Sequence, residues 1–245
     1  MNELFVTVKE NLVFVLEFFG IIVALLLVAL LLEKLAQKRN GSSEKFLTTR
    51  KMAMIGMFSA ISTVLMLFEV PLPFAPPFYK LDLSELPIMI GALAFGPAAG
   101  VLMEFIKILL NLLINGTTTV FVGELANFTV GCSLIIPAAA IYTFWRKKKG
   151  AAVGLITGTL VLTVFGTAFN AIYLLPAFAE LYGMPMDVLL AMGEEVNPFV
   201  KSGDIVSFVV ACVAPMNIIK GTVVSVITLL IYKPLSPILK SVYKN

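Results

Sequence analysis

The chain has 245 residues, of which 59% are hydrophobic and only 13% are charged, and its formal net charge is +3. Soluble domains carry about 25% charged residues, so this composition excludes a soluble protein and predicts an integral membrane protein. At about 20 residues per span, seven spans fill the length and leave no room for a separate soluble domain. Most basic residues flank apolar runs, so the positive charge does not indicate a nucleic-acid partner.

The residue types that are missing narrow the function further. The sequence contains no histidine, which excludes HExxH metalloproteases, histidine proton relays and Ser-His-Asp hydrolases. It also lacks a GxxxxGK[ST] phosphate loop. Cys132 and Cys212 lie in apolar runs, where a thiol usually packs as a small hydrophobic group. We therefore expect no catalysis, metal, cofactor or disulfide.

Apolar runs separated by polar or proline-rich segments predict seven membrane spans. The spans are expected at about 11–32, 52–70, 84–96, 98–115, 121–145, 151–176 and 205–232. No A-x-A-like cleavage site follows the first run, which favours an uncleaved helix over a signal peptide. Two long connections separate spans, a proline-rich loop at 71–84 and an acidic loop at about 177–204.

The distribution of basic residues predicts the orientation in the membrane. These residues cluster after spans one, five and seven. A seven-span path places all three clusters on one side of the bilayer, and the positive-inside rule makes that side cytoplasmic. We therefore expect a multi-pass protein of the cell membrane with its N-terminus outside and its C-terminus in the cytoplasm. Both long loops then face outside.

Polar side chains inside the spans are few. Charged groups at bilayer depth are costly and usually face a bundle interior or a cavity. Glu104 and Lys107 share one face of span four. Further polar groups lie toward the outer ends of spans five, six and seven, and they are Glu124, Asn127, Asn170, Asn217 and Lys220.

The polar pair in span seven predicts a pocket. A straight helix over 205–232 is about 42 Å long at 1.5 Å per residue, which exceeds the roughly 30 Å hydrocarbon core. Pro215 offers a natural break, because proline suits the first turn of a helix. A helix that restarts there puts Asn217 and Lys220 in the outer half of the membrane, level with the polar residues of spans five and six. We predict that these groups receive a polar ligand from outside.

Structural alternatives exist for several of these residues. Glu104 and Lys107 can form an internal ion pair that holds helices together, and Glu124 can cap its helix. The asparagines can instead bond neighbouring helices. The aromatic residues of the 71–84 loop, Tyr79 among them, form either an interfacial belt or a lid over a flat ligand.

Small residues line one face of the second span. Ala53, Gly56 and Ala60 are spaced i, i+3 and i+7, which allows another helix to approach closely. Their partner is either a helix of the same bundle or another membrane subunit.

Three segments in this order resemble a known family. They are FYKLDLSELPIMIGALAFGPAAGVLMEFIKILLNLL, VGELANFTVGC and PMNIIKG. They are similar to the substrate-binding S components of energy-coupling factor (ECF) transporters, and most of all to the riboflavin-specific subgroup. The resemblance covers about residues 50–235.

The resemblance implies a fold and partners. The expected fold is an all-α integral membrane protein, with a six-helix S-component bundle at 51–245 and one extra N-terminal transmembrane helix with a basic cytoplasmic linker at 1–50. It implies a transmembrane coupling subunit and two cytoplasmic ATPases as partners. The small residues Ala53, Gly56 and Ala60 match the helix that meets the coupling subunit.

The resemblance also implies roles in binding the vitamin. Asn127, Asn217 and Lys220 match residues that contact the edge of the flavin, and the 71–84 loop, which contains Tyr79, closes over it. An asparagine can donate and accept at once, which suits an imide-like edge, and a lysine suits a carbonyl oxygen. Our own inference adds Glu124 and Asp82 as acceptors for ribityl hydroxyls, and Asn170 lies at the same level.

The expected function is riboflavin capture from outside, followed by delivery through an ATP-driven coupling complex. One alternative is an S component for another vitamin or a modified base. Another is a self-standing secondary transporter with Glu104 and Lys107 as ion-coupling groups. A membrane enzyme is disfavoured because no nucleophile–base motif accompanies the missing histidines.

Overall fold

Eight helices and one short β-ribbon make up the part of the chain that the structure describes. The structure is a computed structural model, and it describes residues 12–41, 48–117 and 119–241. In chain order the elements are α1 (Leu12–Asn40), α2 (Thr49–Met66), β1 (Val70–Pro71), β2 (Lys80–Leu81), α3 (Glu85–Phe95), α4 (Pro97–Asn115), α5 (Val122–Phe144), α6 (Lys148–Tyr182), α7 (Met186–Val196) and α8 (205–241).

Five of these helices, α1, α4, α5, α6 and α8, are long and apolar enough to cross a membrane. The chain is therefore a multi-pass, all-α membrane protein, as predicted. The other two predicted spans correspond to α2 and α3. Helix α3 has only 11 residues, because the ribbon precedes it and the Gly96–Pro97 turn ends it. It is buried on nearly all sides and contacts α2, α4, α5 and α8, so it forms the centre of the bundle.

The N-terminal helix α1 packs along α4 and α5. Ile22 and Ala29 share a buried cluster with residues of both helices. The Phe18 and Phe128 rings meet edge to face, with their centroids 5.9 Å apart. Near the other end of α1, Glu33 pairs with Lys51 of α2 at 3.5 Å. The division of the chain at residue 50 stays a prediction, and most of the linker lies outside the described residues.

Two π-helical turns interrupt the long helices α6 and α8. In α6 the turn Asn170–Leu174 precedes Pro176, and in α8 the turn Val209–Val213 precedes Pro215. Proline cannot donate the hydrogen bond that continues an α-helix, and the wider turn accommodates this loss without ending the helix. The predicted break at Pro215 is therefore a π-turn within a continuous helix.

The prediction of a single acidic loop at 177–204 was wrong. Helix α6 continues to Tyr182, and α7 occupies Met186–Val196. Leu189, Leu190 and Gly193 form the buried face of α7. Their i, i+1, i+4 spacing is typical of the apolar face of an amphipathic helix. The acidic residues around them led to the prediction of a loop instead.

Candidate functional site

A cavity of about 440 Å³ lies at one end of the bundle. Its walls come from the ribbon segment (residues 70–84), the end of α4, the first turns of α5, the last turns of α6 and the α8 helix after its π-turn. The structure brings all seven predicted binding residues to this cavity, and these are Tyr79, Asp82, Glu124, Asn127, Asn170, Asn217 and Lys220. Four separate parts of the chain thus converge on one space, although ligand contact by each residue stays a prediction.

Lys220 is held by two carboxylates. Its Nζ lies 2.9 Å from Glu85 Oε2 and 3.2 Å from Asp82 Oδ2, and its side chain is 12% exposed. The backbone N–H of Ser84 also donates to Asp82 Oδ1 at 2.8 Å. The amine is therefore fixed in position at the cavity wall while part of it stays accessible.

Glu85 connects this pair to a second, deeper lysine. Lys107 Nζ lies 3.2 Å from Glu85 Oε1 and 2.7 Å from Glu104 Oε2, and it donates to Ser84 Oγ at 3.2 Å. The side chains of Lys107 and Glu104 are fully buried. The predicted pairing of Glu104 with Lys107 is thus present in the structure, within a network of three carboxylates and two lysines that joins α3, α4 and α8.

The ribbon segment contributes an ionised carboxylate to this network. Burial opposes ionisation of Asp82, but the charges of Lys220 and Lys107 and the hydrogen bonds from Ser84 outweigh that effect and lower its pKa to about 2. Asp82 is therefore charged throughout the physiological pH range, and it attracts the amine of Lys220.

Asn217 lines the cavity and carries an unused donor. The residue is only 1% exposed, and within the described part of the chain no atom accepts a hydrogen bond from its Nδ2. Gly166 of α6 provides the space beside it, because a Cβ at that position would lie 2.7 Å from Asn217 Nδ2. A buried amide without a partner is costly, so this donor is suited to a ligand acceptor.

Asn170 holds Tyr79 in place. The Tyr79 hydroxyl donates to Asn170 Oδ1 at 2.8 Å, and Asn170 Nδ2 donates to the Gly166 carbonyl at 2.8 Å. The Tyr79 ring packs on Phe208 with their centroids 6.2 Å apart. Burial raises the pKa of the Tyr79 hydroxyl well above its ordinary value, so it remains a neutral donor. Together these contacts anchor the ribbon segment to α6 and α8.

A second anchor for the ribbon segment comes from Asn197, after α7. Its Nδ2 donates to the Phe74 carbonyl at 3.1 Å and to the Ala211 carbonyl at 3.0 Å. Ala211 lies four residues before Pro215, whose nitrogen cannot donate to that carbonyl. The side chain of Asn197 thus replaces the missing helical hydrogen bond and links α8 to the ribbon segment.

The start of α5 forms the opposite wall. Thr119 Oγ1 donates to Glu124 Oε2 at 3.1 Å, and Asn127 Nδ2 donates to the Gly123 carbonyl of its own helix at 3.2 Å. Glu124 is 7% exposed, and Asn127 is half-buried. This wall therefore offers mainly oxygen acceptors to the cavity.

Several residues that line or support the cavity were not among the predicted site residues. Glu85 is the most important, because it contacts both Lys107 and Lys220. Asn111 and Asn115 also line the cavity, and Asn115 donates to Asn111 at 2.8 Å. No signal in the sequence points to Leu189, which α7 brings to the cavity.

The predicted coupling residues lie away from the cavity. Ala53, Gly56 and Ala60 are all exposed on one face of α2. Met57 and Ile61 on the same face are 45% and 44% exposed. These small residues do not pack inside the described bundle, which leaves their face available, and its role stays a prediction.

Comparison with known proteins identifies similar chains. Residues 50–232 match the family "ECF transporter, substrate-specific component". The chain is 35% identical to the riboflavin transporter RibU of Staphylococcus aureus (strain TCH60), over 84% of this chain and 98% of that protein. It is 34% identical to the riboflavin transporter FmnP of Bacillus subtilis (strain 168), over 77% of this chain and 93% of that protein. A solved structure of the S component of a bacterial ECF transporter is 37% identical, with a TM-score of 0.60, and the match covers 78% of this chain and 97% of that one.

Proposed function

The chain belongs to the family of ECF transporter substrate-specific components, and from this premise we propose that it is the riboflavin-binding membrane subunit of such a transporter. The curated relatives are riboflavin transporters and cover most of this chain. The family consists of transport subunits, and the chain is not an enzyme. The comparisons do not favour another vitamin or an ion-coupled transporter.

One observation carries the assignment of the site. The unused amide donor of Asn217 and the amine of Lys220 lie one helical turn apart on the wall of a single cavity. The volume of about 440 Å³ falls within the roughly 300–1,000 Å³ of small-molecule sites. Two donors at fixed spacing suit the two carbonyl oxygens of a flavin's imide-like edge.

The other predicted residues have two roles in this proposal, contact with the ligand or positioning of a neighbouring side chain. Glu124 and Asn127 supply acceptors at the opposite wall, which suits ribityl hydroxyls. Asp82 and Asn170 are engaged with Lys220 and Tyr79 respectively. Their role in this proposal is to fix those two side chains, and a ribityl contact by Asp82 is secondary.

The charges around the cavity favour a neutral vitamin over its phosphate. Both lysines of the cavity wall already contact carboxylates, Lys80 with Glu69 at 2.8 Å and Lys220 with Asp82 and Glu85. Glu124 adds a further carboxylate. A phosphate would have to displace these carboxylates, so we expect weaker binding of flavin mononucleotide than of riboflavin.

Membership of the family implies association with the other subunits of an ECF module. In the proposed complex these are a transmembrane coupling subunit, which meets the Ala53–Gly56–Ala60 face of α2, and two ATPases. The proposed orientation puts the cavity outside, the N-terminus outside and the C-terminus in the cytoplasm. Riboflavin enters the cavity, the coupling complex reorients the bundle, and ATP hydrolysis by the partners resets it.

Titration of the purified protein with riboflavin, followed by quenching of flavin fluorescence, tests the proposal. Asn217→Ala and Lys220→Ala are each expected to weaken binding by about tenfold or more, because each removes a buried hydrogen bond to the ligand. Lys201→Ala is the matched control, since Lys201 is an exposed lysine near this end that does not line the cavity. Unchanged affinity in both cavity variants would refute the site.

A further inference from the structure

The end of the bundle opposite the cavity carries a second surface, built from two distant segments. Helix α5 leads there from the cavity over 23 residues, about 34 Å at 1.5 Å per residue. At this end Asn40, the last residue of α1, donates from Nδ2 to the Thr143 carbonyl at 2.9 Å. This bond joins the end of α1 to the end of α5 across 103 residues of sequence.

Both joined segments are strongly basic. They present seven exposed basic side chains, and these are Lys34, Lys38, Arg39, Arg146, Lys147, Lys148 and Lys149. The sequence contains no acidic residue between Glu124 and Glu180. We call these seven residues, together with Trp145, the basic end surface.

The α5–α6 connection concentrates this charge in a tight turn. The Lys147 N–H donates to the Trp145 carbonyl at 2.7 Å. A Cβ at position 150 would overlap that same carbonyl, so Gly150 is required for the close approach. Trp145 itself is 41% exposed, as is common for tryptophan at a membrane–water interface.

A contact with α2 fixes the position of α1 and of the basic residues at its end. Glu33 and Lys51 form an ion pair whose side chains are 7% and 3% exposed. Breaking such a buried pair is costly, so the register of α1 against the core is defined. The basic end of α1 therefore lies at a set position beside the α5–α6 turn.

An apolar stripe leads up to the basic end surface. Leu27, Leu31 and Leu35 of α1 are 54%, 60% and 56% exposed, and their i, i+4, i+8 spacing places them on one face. In a bilayer this face meets acyl chains, and the cations at its end lie at headgroup level. Clusters of basic residues at the end of a membrane span attract anionic lipids.

We propose that the basic end surface binds the headgroups of anionic phospholipids, with their acyl chains along the leucine stripe of α1. The positive-inside rule accounts for basic residues on this side of the membrane, but it requires no contact between separate segments. The bond between Asn40 and Thr143 creates that contact. The site therefore depends on the N-terminal helix as well as on the bundle.

Native mass spectrometry of the purified full-length protein, titrated with phosphatidylglycerol or phosphatidylcholine, tests the proposal. We expect a preference for phosphatidylglycerol of at least about tenfold. The double variants Lys38→Gln/Arg39→Gln and Lys147→Gln/Lys148→Gln should each lower its affinity by about thirtyfold, because each lost cation weakens attraction to anionic lipid. Asn40→Ala should lower the affinity several-fold without a change of charge, because it separates the two segments.

Lys201→Gln, near the cavity, is the control and should leave lipid binding unchanged. Riboflavin affinity should be the same in all these variants, which separates this proposal from the one on the cavity. Equal retention of both lipids, or unchanged phosphatidylglycerol affinity in both double variants, would overturn it. Full displacement of phosphatidylglycerol by an equal concentration of inorganic phosphate would also overturn the proposal, because the surface would then bind any anion rather than a lipid. If neither lipid is preferred but both double variants fail to co-purify with ECF subunits, the surface is a protein interface and the proposal is wrong.

Discussion

The amine of Lys220 and the carboxylate of Glu85 lie 2.9 Å apart, with 12% and 2% of their side chains exposed. This contact ties the part of α8 that lines the cavity to the first turn of α3, the central helix. Because Glu85 also contacts Lys107 at 3.2 Å, the position of Lys220 depends on a network that extends into the fully buried core. Lys220 is thus a cation whose location is set both by Asp82 at the cavity wall and by Glu85, which does not line the cavity.

Replacement of Glu85 should therefore damage both the fold and the site. Removing one partner of a buried ion pair costs about 3–5 kcal/mol, so we expect Glu85→Gln to lower the melting temperature and to weaken riboflavin binding by at least about tenfold. Thermal unfolding and a riboflavin titration of the same sample measure both effects. Glu195→Gln is the control, because Glu195 is exposed and does not line the cavity. Equal behaviour of the two variants would contradict the role of the network.

A methyl group at position 166 should displace the amide of Asn217. The added Cβ of Gly166→Ala would lie 2.7 Å from Asn217 Nδ2, which is too close for an undisturbed contact. We expect riboflavin affinity to fall by about tenfold or more while the protein still folds, as shown by size-exclusion chromatography. Gly20→Ala is the matched control, because nothing lies within 4 Å of its added Cβ. Binding at wild-type strength in Gly166→Ala would show that Asn217 does not contact the ligand.

Loss of the Asn197 amide should loosen the ribbon segment. Asn197→Ala leaves the carbonyls of Phe74 and Ala211 without their donor, and so removes one attachment of the ribbon segment, which forms part of the cavity wall. We expect faster dissociation of riboflavin, by about fivefold, because only the bond to the Phe74 carbonyl holds the ribbon segment and one hydrogen bond contributes about 1 kcal/mol. Stopped-flow fluorescence measures this rate. The exposed Ser202, changed to alanine, provides the comparison. A dissociation rate that is the same in both variants would argue against this anchor.

The contribution of Asp82 to stability should not change between pH 8 and pH 5. Its pKa of about 2 is lower in the folded protein than the ordinary 3.8, so the stabilisation is fully present above 3.8 and is lost only as the pH falls through about 2. We expect Asp82→Asn to lower the melting temperature by the same amount at pH 8, 6.5 and 5. A difference that shrinks toward pH 5 would mean that Lys220 does not hold this carboxylate in its charged form.

The sequence predicts the site better than it predicts the details of the helices. Asn217, Lys220 and Glu124 could be found because polar groups at bilayer depth are rare, and their common level follows from the topology of the spans. The central position of α3 could not be found in this way. An 11-residue apolar helix looks like a short span, and only the packing of four neighbours around it reveals its role.

Glu85 shows why part of the network escaped prediction. It begins a helix, where an acidic residue is common for reasons of helix polarity, so its position alone does not indicate a buried charge. Its partners, Lys107 and Lys220, are 22 and 135 residues away in the sequence, and only tertiary structure brings them together. Asn197 was not predicted either, because the composition of its segment is typical of a solvated loop.

The π-turn at Val209–Val213 has a consequence for anyone who aligns or redesigns chains of this kind. A π-turn holds one residue more than an α-helical turn, so residues on its two sides are rotated by about 100° from the phase of an uninterrupted helix. A helical wheel drawn straight through α8 therefore assigns Phe208 and Asn217 to the wrong relative faces. Deleting a single residue within this turn would rotate Asn217 and Lys220 away from the cavity while leaving both amino acids unchanged.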